Sequence, residues 1–356
     1  MEMDKLLSIT VEKRASDLHL SVGRPPVLRT DGRLVDLDFN SLTPDDTISL
    51  MKSITSAAQQ EKLQGKGGVE FGFAFGEAAR FRVSIFRERG RLGLALRLIP
   101  SQLLTFEQIG LPPTTIKELL QKPRGLILVT GPTGSGKTTT LATMIDFINQ
   151  ETGRHIITIE DPIEYYHEHR KSLIVQREVG VDVPSFSEAV IRALRQDPDI
   201  IFIGEMREIA TMEAAITAAE TGHLVFSTLH TTGAAKTVDR IIDAFPTTQQ
   251  EQIRLQVSGS ILAVISQALL PKTGGGRIAA FEIMVSTPAI QNLIREKKTY
   301  NIVSAIETGR KYGMRLLDQH LLELHQRGLI RQEDMMGVCS DLTSIRTKLD
   351  AITRKR

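Results

Sequence analysis

The sequence predicts an α/β protein built around a doubly wound parallel sheet. Continuous apolar strands recur along the middle of the chain, at residues 125–130 (GLILVT), 155–159 (HIITI), 199–203 (DIIFI) and 223–228 (HLVFST). Helical patterns separate them, which is the alternation expected of βαβ units whose strands are buried on both faces. A different pattern precedes this region and another follows it, so we predict additional parts on both sides.

The first part of the chain predicts a small antiparallel sheet with helices. Residues 17–35 alternate apolar and polar around Gly and Pro, which indicates short strands. Residues 43–64 have helical spacing, and residues 69–99 return to strand patterns. We therefore assign residues 1–100 to a mixed α/β domain of PAS-like type, and residues 101–123 to a linker.

The remaining chain is predicted to form the doubly wound domain and a helical tail. We assign residues 124–272 to the former and residues 273–356 to a mostly helical C-terminal region. TGGG at residues 273–276 is expected to be a hairpin tip. Helices are predicted near residues 288–297, 299–309, 315–327 and 331–338.

Composition excludes some classes of protein. Lys and Arg number 44 and Asp and Glu 42, so the formal net charge is only +2. A nucleic-acid-binding domain is usually strongly basic, and we expect no nucleic-acid partner. Cys339 is the single cysteine, which suits a reducing compartment such as the cytoplasm. No apolar run suits a signal peptide or a transmembrane span, so we expect neither.

GPTGSGKT at residues 131–138 matches the phosphate-binding pattern G-x-x-x-x-G-K-[ST]. A chance match in a Gly-rich turn is the alternative, but a buried strand precedes the motif and a helical pattern follows it, as phosphate binding requires. The glycines allow backbone N–H groups to point at phosphates, and the lysine adds a positive charge. The predicted phosphate-binding residues are Gly131, Pro132, Thr133, Gly134, Ser135, Gly136, Lys137, Thr138 and Thr139.

Polar residues follow two further apolar strands, where α/β sheets place their sites. Glu205 follows DIIFI and is our candidate for orienting the attacking water; alone, it could equally be a solvated loop carboxylate. Arg207, two residues later, is a candidate nucleotide contact. His230 follows LVFST and is a candidate sensor of the γ-phosphate, or else a structural histidine.

The metal site is predicted around the hydroxyl of Thr138, which can ligate Mg²⁺. Position 204 is Gly, where an acidic residue commonly precedes the glutamate, so support for the metal must come from elsewhere. Three acidic residues after HIITI can supply it through water: Glu160, Asp161 and Glu164. Glu164 is also a catalytic candidate. His167 and His169 are better explained as a solvated loop than as metal ligands.

Arginines crowd one strand region of the first domain. Arg80 and Arg82 alternate with apolar residues and so share a sheet face, and Arg97 lies on a neighbouring predicted strand. These guanidinium groups could reach a nucleotide from another subunit or domain and neutralise charge in the transition state. A solvated face accounts for the arginines at positions 87, 89 and 91.

These motifs together resemble the type II/type IV secretion ATPase superfamily. Its Walker A loop, aspartate box, Walker B segment and histidine box stand here as GPTGSGKT, ITIEDPIEY, IIFIGEMRE and STLHTT. ASDLHLS at residues 15–21 and LRQDPD at residues 194–199 also resemble family segments, so the match covers nearly the whole chain. The resemblance implies a RecA-like ATPase domain that uses ATP and Mg²⁺.

Within the superfamily the sequence is most similar to the PilT branch of type IV pilus retraction ATPases. It has no four-cysteine zinc insert, and we expect no extra N-terminal domain. AIQNLIRE at residues 289–296 is similar to the AIRNLIRE segment of retraction motors, with Gln291 in place of Arg. The resemblance implies a homohexamer with Arg80, Arg82 and Arg97 completing the nucleotide site. It also implies a peripheral location at the inner membrane, on the pilus platform protein and only indirectly on pilin.

Three other functions remain open from the sequence. The first is an extension or secretion ATPase of the same superfamily, working in the opposite direction. The second is a nucleic-acid translocase on the same core, against which the low aromatic content and the absence of tryptophan argue. The third is a nucleotide-gated binding module without turnover, which Glu205 beside an intact phosphate loop disfavours.

Overall fold

The structure is a computed structural model that describes residues 2–30, 32–76, 79–99 and 103–353. The chain divides into an N-terminal unit, Met1–Gln102 with Pro162–Tyr166, and a C-terminal unit, Leu103–Asp161 with His167–Arg356. The start of the predicted linker, residues 101–102, lies outside the described residues. Within the rest of that linker, two short helices pack on the C-terminal unit's core.

The N-terminal unit is an antiparallel sheet with helices packed on it, the mixed α/β pattern that the sequence predicts. Its six strands lie in the order β3-β2-β1-β6-β5-β4. The elements in chain order are α1 (Met3–Glu12), β1 (Asp17–Leu20), β2 (Val27–Thr30), β3 (Arg33–Asp36), α2 (Pro44–Ile54), α3 (Ala57–Lys66), β4 (Gly68–Phe75), β5 (Ala79–Glu88) and β6 (Arg91–Ile99). One apolar core joins the helices to a face of the sheet.

The helical segment predicted at residues 43–64 is two helices rather than one. Thr43 and Ser56 each begin a helix with a capping box, in which the cap side chain and the third residue satisfy each other's backbone N–H groups. The second capping box interrupts the apolar periodicity at residues 55–56. Helix α1 was not predicted from the sequence, although Leu6 and Leu7 on it are fully buried.

The C-terminal unit contains a seven-stranded sheet in the order β13-β12-β7-β11-β10-β8-β9. All its neighbouring strands are parallel except the pair β12–β13. The elements are α4 (Phe106–Ile109), α5 (Pro113–Leu120), β7 (Gly125–Thr130), α6 (Lys137–Glu151), β8 (His155–Glu160), β9 (Leu173–Glu178), α7 (Phe186–Ala193), β10 (Ile200–Ile203), α8 (Ile209–Glu220), β11 (Leu224–Leu229), α9 (Ala234–Asp243), α10 (Gln250–Ser260), β12 (Ile261–Pro271) and β13 (Arg277–Val285).

The central strands are buried on both faces, which confirms the predicted fold class. All residues of β7, β10 and β11 are buried. Alternate residues contribute to different cores, because successive side chains of a strand point to opposite faces. Leu126 and Leu128 of β7 belong to the core shared with α7 to α10, while Ile127 and Val129 belong to the core shared with α4 to α6.

The C-terminal region is helical after one further strand. The sequence predicts helices after residue 273, whereas β13 pairs with β12 along its whole length through a hairpin whose turn contains TGGG. The following elements are α11 (Pro288–Arg295), a 3₁₀ turn (Thr299–Asn301), α12 (Ile302–Thr308), a 3₁₀ turn (Arg310–Tyr312), α13 (Leu317–Gln326), α14 (Gln332–Met336) and α15 (Leu342–Thr353). Over the described ranges, none of the helices combines the length and apolarity needed to cross a membrane.

Helix α13 is anchored to the sheet by a buried histidine. Nδ1 of His320 accepts a hydrogen bond from the backbone N–H of Phe281 at 3.0 Å, and the two rings stack with centroids 6.0 Å apart. Burial, reinforced by the nearby Arg315, lowers the pKa of His320 to about 3. The imidazole is therefore neutral in the folded protein, with its proton on Nε2.

We expect the free energy of unfolding of the His320→Asn variant to fall less steeply in mild acid than that of the wild type. Because the unfolded histidine titrates near pH 6.5, the unfolded state gains a proton that the native state does not. This contribution to stability is complete above pH 6.5 and falls by about 1.4 kcal/mol per pH unit down to pH 4. Urea unfolding at pH 7.5 measures the cost of the substitution itself, and unfolding between pH 6.5 and 4 measures the slope. An unchanged slope in the variant would contradict the assignment.

Candidate active site

The predicted phosphate loop connects the end of β7 to the start of α6. Gly131, Gly134 and Gly136 have φ angles of 141°, 79° and 89°, a region that residues with a side chain rarely adopt. Gly136 is the N-cap of α6, so the loop runs directly into a helix N-terminus. Pro132 and Thr133 are exposed at the tip of the loop. Backbone N–H groups at a helix N-terminus and in such a loop favour an anion.

Lys137 begins α6 and is 9% exposed. Its Nζ donates hydrogen bonds to the backbone oxygens of Gly131 at 2.8 Å and Pro132 at 3.1 Å. The ammonium group thus lies against the loop's own backbone, where a phosphate oxygen can take over as its partner. The hydroxyl of Ser135 is buried and, among the described residues, makes no hydrogen bond. An unsatisfied buried hydroxyl in the loop fits a polar ligand such as a nucleotide phosphate.

Gln267, which no sequence motif indicated, holds the loop in place from the adjacent strand. Gln267, on β12, donates from Nε2 to the backbone oxygen of Ser135 at 2.6 Å. Its Oε1 accepts from the hydroxyl of Thr140 at 2.8 Å. The loop also lies directly on the strand, because a Cβ at Gly131 would come within 2.2 Å of the backbone oxygen of Gln267. The half-buried Thr138 and Thr139 follow in the first turn of α6.

Glu205, Arg207 and His230 come together at the carboxyl ends of β10 and β11. Because these strands are parallel neighbours, the residues that follow them lie side by side. Oε1 of Glu205 lies 2.8 Å from Nε of Arg207, and Oε2 lies 3.5 Å from Nε2 of His230. The carboxylate is 25% exposed, so water has access to it. A carboxylate between a cation and an imidazole can position water for attack on a phosphorus atom.

Gly204 packs against the end of β8. A Cβ there would lie 3.4 Å from the backbone oxygen of Ile159 and 3.5 Å from Cα of Glu160. The backbone N–H of Gly204 donates to Ile159, and its carbonyl accepts from the hydroxyl of Thr228. The turn before Glu205 is therefore hydrogen-bonded to both neighbouring strands. A Cβ at position 204 would lie at ordinary van der Waals distance from the end of β8, so the packing there does not by itself require a glycine.

The three acidic residues predicted to support the metal differ in their surroundings. Oε1 of Glu160 is buried and accepts hydrogen bonds from Thr158 at 2.7 Å and Gln176 at 3.2 Å. Asp161 is exposed, and Glu164 belongs to the N-terminal unit. Within the described part of the chain, no three His, Cys, Asp or Glu side chains are placed to hold a metal ion. The supporting role of these carboxylates toward Mg²⁺ stays a prediction.

Arg82 and Arg97 lie directly opposite each other on β5 and β6. Two like charges in this position repel, and each arginine has acidic partners within the N-terminal unit. Arg82 pairs with Glu70 at 3.2 Å and with Glu164 at 3.8 Å, and Nε of Arg97 pairs with Asp17 at 2.9 Å. Burial raises the pKa of Asp17, but hydrogen bonds from Ser16 and Arg97 outweigh it and hold the pKa below its usual value.

Arg80 stacks on an aromatic ring. Its Cζ lies 3.3 Å from the ring centroid of Tyr166, a cation–π contact within the N-terminal unit.

The two histidines that follow Tyr166 in the chain differ in their exposure to solvent. Burial lowers the pKa of His167 to about 4, whereas His169 is exposed and accepts a hydrogen bond from the backbone N–H of Ile174. His169 is therefore a solvated loop residue, whereas His167 is half-buried.

The sequence profile of the family described as Type II/IV secretion system protein matches residues 2–337. The chain belongs to this family. The Type IV pilus retractation ATPase PilT of Pseudomonas aeruginosa is 48% identical over 334 residues, which cover 94% of this chain and 97% of that protein. The twitching motility protein of Neisseria gonorrhoeae is 46% identical over 310 residues, which cover 86% and 82% of the two chains.

The fold is similar to a solved member of the branch. The crystal structure of the pilus retraction motor PilT with bound ADP superposes with a TM-score of 0.89 at 48% identity, covering 96% of this chain and 98% of that one. The similarity to secretion ATPases inferred from the four motifs is therefore confirmed at the level of the family.

In this member of the Type II/IV secretion family, the sequence motifs indicated the candidate site residues. They did not indicate the residues that hold those side chains and loops in place. Gln267 and the adjacent Ser266 interrupt an apolar run, AVISQALL, and that interruption was the only available signal. Tyr166 carried no signal, because its role depends on the ring lying over Arg80. Supporting contacts of this kind depend on tertiary neighbours that no local pattern specifies.

Proposed function

We propose that this chain is an ATPase motor that drives type IV pilus retraction as a homohexamer. The observation that carries the proposal is the 48% identity to a retraction ATPase over 94% of the chain. An intact phosphate-loop motif and the cluster of Glu205, Arg207 and His230 support it. The direction of work rests on that similarity, since the same chemistry serves assembly and retraction.

The residues of the C-terminal unit divide the work of hydrolysis. Lys137 exchanges its loop carbonyls for phosphate oxygens and neutralises their charge. The Thr138 hydroxyl is the protein oxygen that we assign to Mg²⁺, an ion that typically takes few protein ligands alongside substrate phosphates. When bound, Mg²⁺ neutralises charge on the phosphates. Glu205 orients water and accepts its proton, and Arg207 holds the carboxylate in place.

His230 is proposed to report the state of the nucleotide. Its 3.5 Å contact with Glu205 is long for a hydrogen bond and can be exchanged for a phosphate oxygen. Arg80, Arg82 and Arg97 are proposed to act on the nucleotide of a neighbouring subunit, exchanging their carboxylate and ring partners for phosphate. We propose that the ring works in the cytoplasm on a membrane platform protein at the pilus base.

The test is the pilus phenotype of the source organism without this protein. We expect this strain to carry abundant surface pili by electron microscopy and to lose twitching motility. The wild-type gene should return both pilus number and motility to normal, and a gene encoding Glu205→Gln should return neither. Cells without pili would indicate an assembly motor and overturn the proposed direction. Normal pili and normal motility would show that this protein is not required by the pilus system and would overturn the proposal. Steeply salt-dependent binding of the purified protein to single-stranded DNA would favour a translocase.

A further inference from the structure

Strand β12 lies beside the strand that precedes the phosphate loop. It runs parallel to β7, and Ser266 pairs with Thr130, the last residue of β7. The adjacent residues Ser266 and Gln267 point to opposite faces of the sheet because side chains alternate along a strand. Both are 4% exposed, although polar residues in a central strand are costly unless hydrogen-bonded. Each of them is hydrogen-bonded to a different loop of the site.

Gln267 joins the phosphate loop to the first turn of α6. Its amide N–H₂ donates to the Ser135 carbonyl, and its amide oxygen accepts from the Thr140 hydroxyl, so both ends of the amide are engaged. Ser135 precedes the N-cap Gly136, and Thr140 follows it by one helical turn. The side chain therefore fixes the distance between the loop and the helix whose N–H groups face the phosphates.

Ser266 holds the segment behind His230. Its Oγ accepts from the backbone N–H of Gly233 at 2.9 Å, three residues after the histidine. Gly233 is the N-cap of α9, and the next backbone N–H, that of Ala234, donates to the buried carboxylate of Glu282 at 2.8 Å. The start of α9 is thus fastened from β12 and β13, and the loop carrying His230 leads directly into it.

We propose that Gln267 and Ser266 are positioning residues for two separate steps of the ATPase cycle. Gln267 sets the shape of the phosphate loop and so governs nucleotide affinity. Ser266 sets the start of α9 and so governs how His230 meets Glu205, which affects turnover. The inference rests on the proposed function, because it assumes that nucleotide binds the loop. Neither residue touches the reacting atoms.

The test compares variants of purified full-length protein in ADP binding and steady-state ATP hydrolysis. Gln267→Met keeps the length of the side chain without its hydrogen bonds, and we expect Kd for ADP and KM for ATP to rise about tenfold, with kcat within about threefold. Ser266→Ala should lower kcat about tenfold and leave Kd within about threefold. Ser266→Thr keeps the acceptor oxygen and should restore kcat. Gln252→Met, exposed on α10, is the matched control.

Thermal unfolding of each variant gives the folded fraction, to which Kd and kcat are normalised. Variants that lower only the unfolding temperature, with normal Kd, KM and kcat per folded chain, would show a merely structural role and overturn the inference. The same parameter changing in both variants would overturn the division of roles. A wild-type protein that neither binds ADP nor hydrolyses ATP would instead overturn the proposed function, so the two failures are distinguishable.

Discussion

Lys137→Ala is expected to weaken ATP and ADP binding by at least about 10²-fold and to abolish ATP hydrolysis at ordinary nucleotide concentrations. The buried ammonium lies against the loop, and a net hydrogen bond to a charged group contributes about 1.5–3 kcal/mol. Two such bonds to phosphate oxygens correspond to about 10²-fold or more in affinity. Titration calorimetry with ADP measures the loss directly, and phosphate release measures turnover.

The matched control for this variant is Lys272→Ala, which removes an exposed lysine from the turn between β12 and β13. It changes net charge by the same amount and should bind nucleotide as the wild type does. Unfolding by urea should confirm that both variants are folded. Tight ATP binding by a folded Lys137→Ala protein would contradict the assignment of residues 131–138 as the phosphate loop.

Glu205→Gln is expected to bind nucleotide normally and to lose turnover by about 10²-fold or more. The amide keeps the size of the side chain and can still accept one hydrogen bond, but it cannot take a proton from water, a contribution typically of 10²–10⁴-fold. It also loses the charge that pairs with Arg207 at 2.8 Å. Single-turnover hydrolysis, with enzyme in excess over ATP and well above Kd, separates this loss from changes in binding or product release.

The matched control is Glu208→Gln, the same substitution three residues further along the chain. Glu208 is exposed and is the N-cap of α8 without a side-chain capping hydrogen bond, so turnover should stay near the wild-type value. Normal turnover in Glu205→Gln would remove Glu205 from the water-positioning role and direct attention to Glu160 or Glu164. Equal losses in both variants would indicate a general effect on the segment rather than a specific carboxylate.

The secondary structure that was predicted well has strong local signals. GLILVT and HLVFST are too apolar and too rich in β-branched residues for an exposed segment, and β7 and β11 are fully buried. Strand β13 was missed because RIAAFEIMV contains Ala, Glu and Met, which also suit helices. Pairing with β12 decides its conformation, and that pairing is a tertiary contact.

The candidate site also has features that the local sequence specifies and features that depend on tertiary contacts. The sequence by itself determined the prediction of the phosphate loop, because glycines at positive φ and a lysine at the start of a helix act through the backbone of one short segment. It also named Glu205 and His230 as residues that follow buried strands. Only the tertiary structure decided that their side chains lie 3.5 Å apart, since β10 and β11 must first be neighbours in the sheet.

The supporting contacts were decided entirely by tertiary structure. Nothing local to Gln267 specifies that it will reach Ser135, which is 132 residues away in the chain. Glu164 pairs with Arg82 within the N-terminal unit, although the two residues are 82 positions apart in the chain. Periodicity and motifs report how a segment interacts with solvent, core or ligand, whereas strand order and register determine which distant side chains meet.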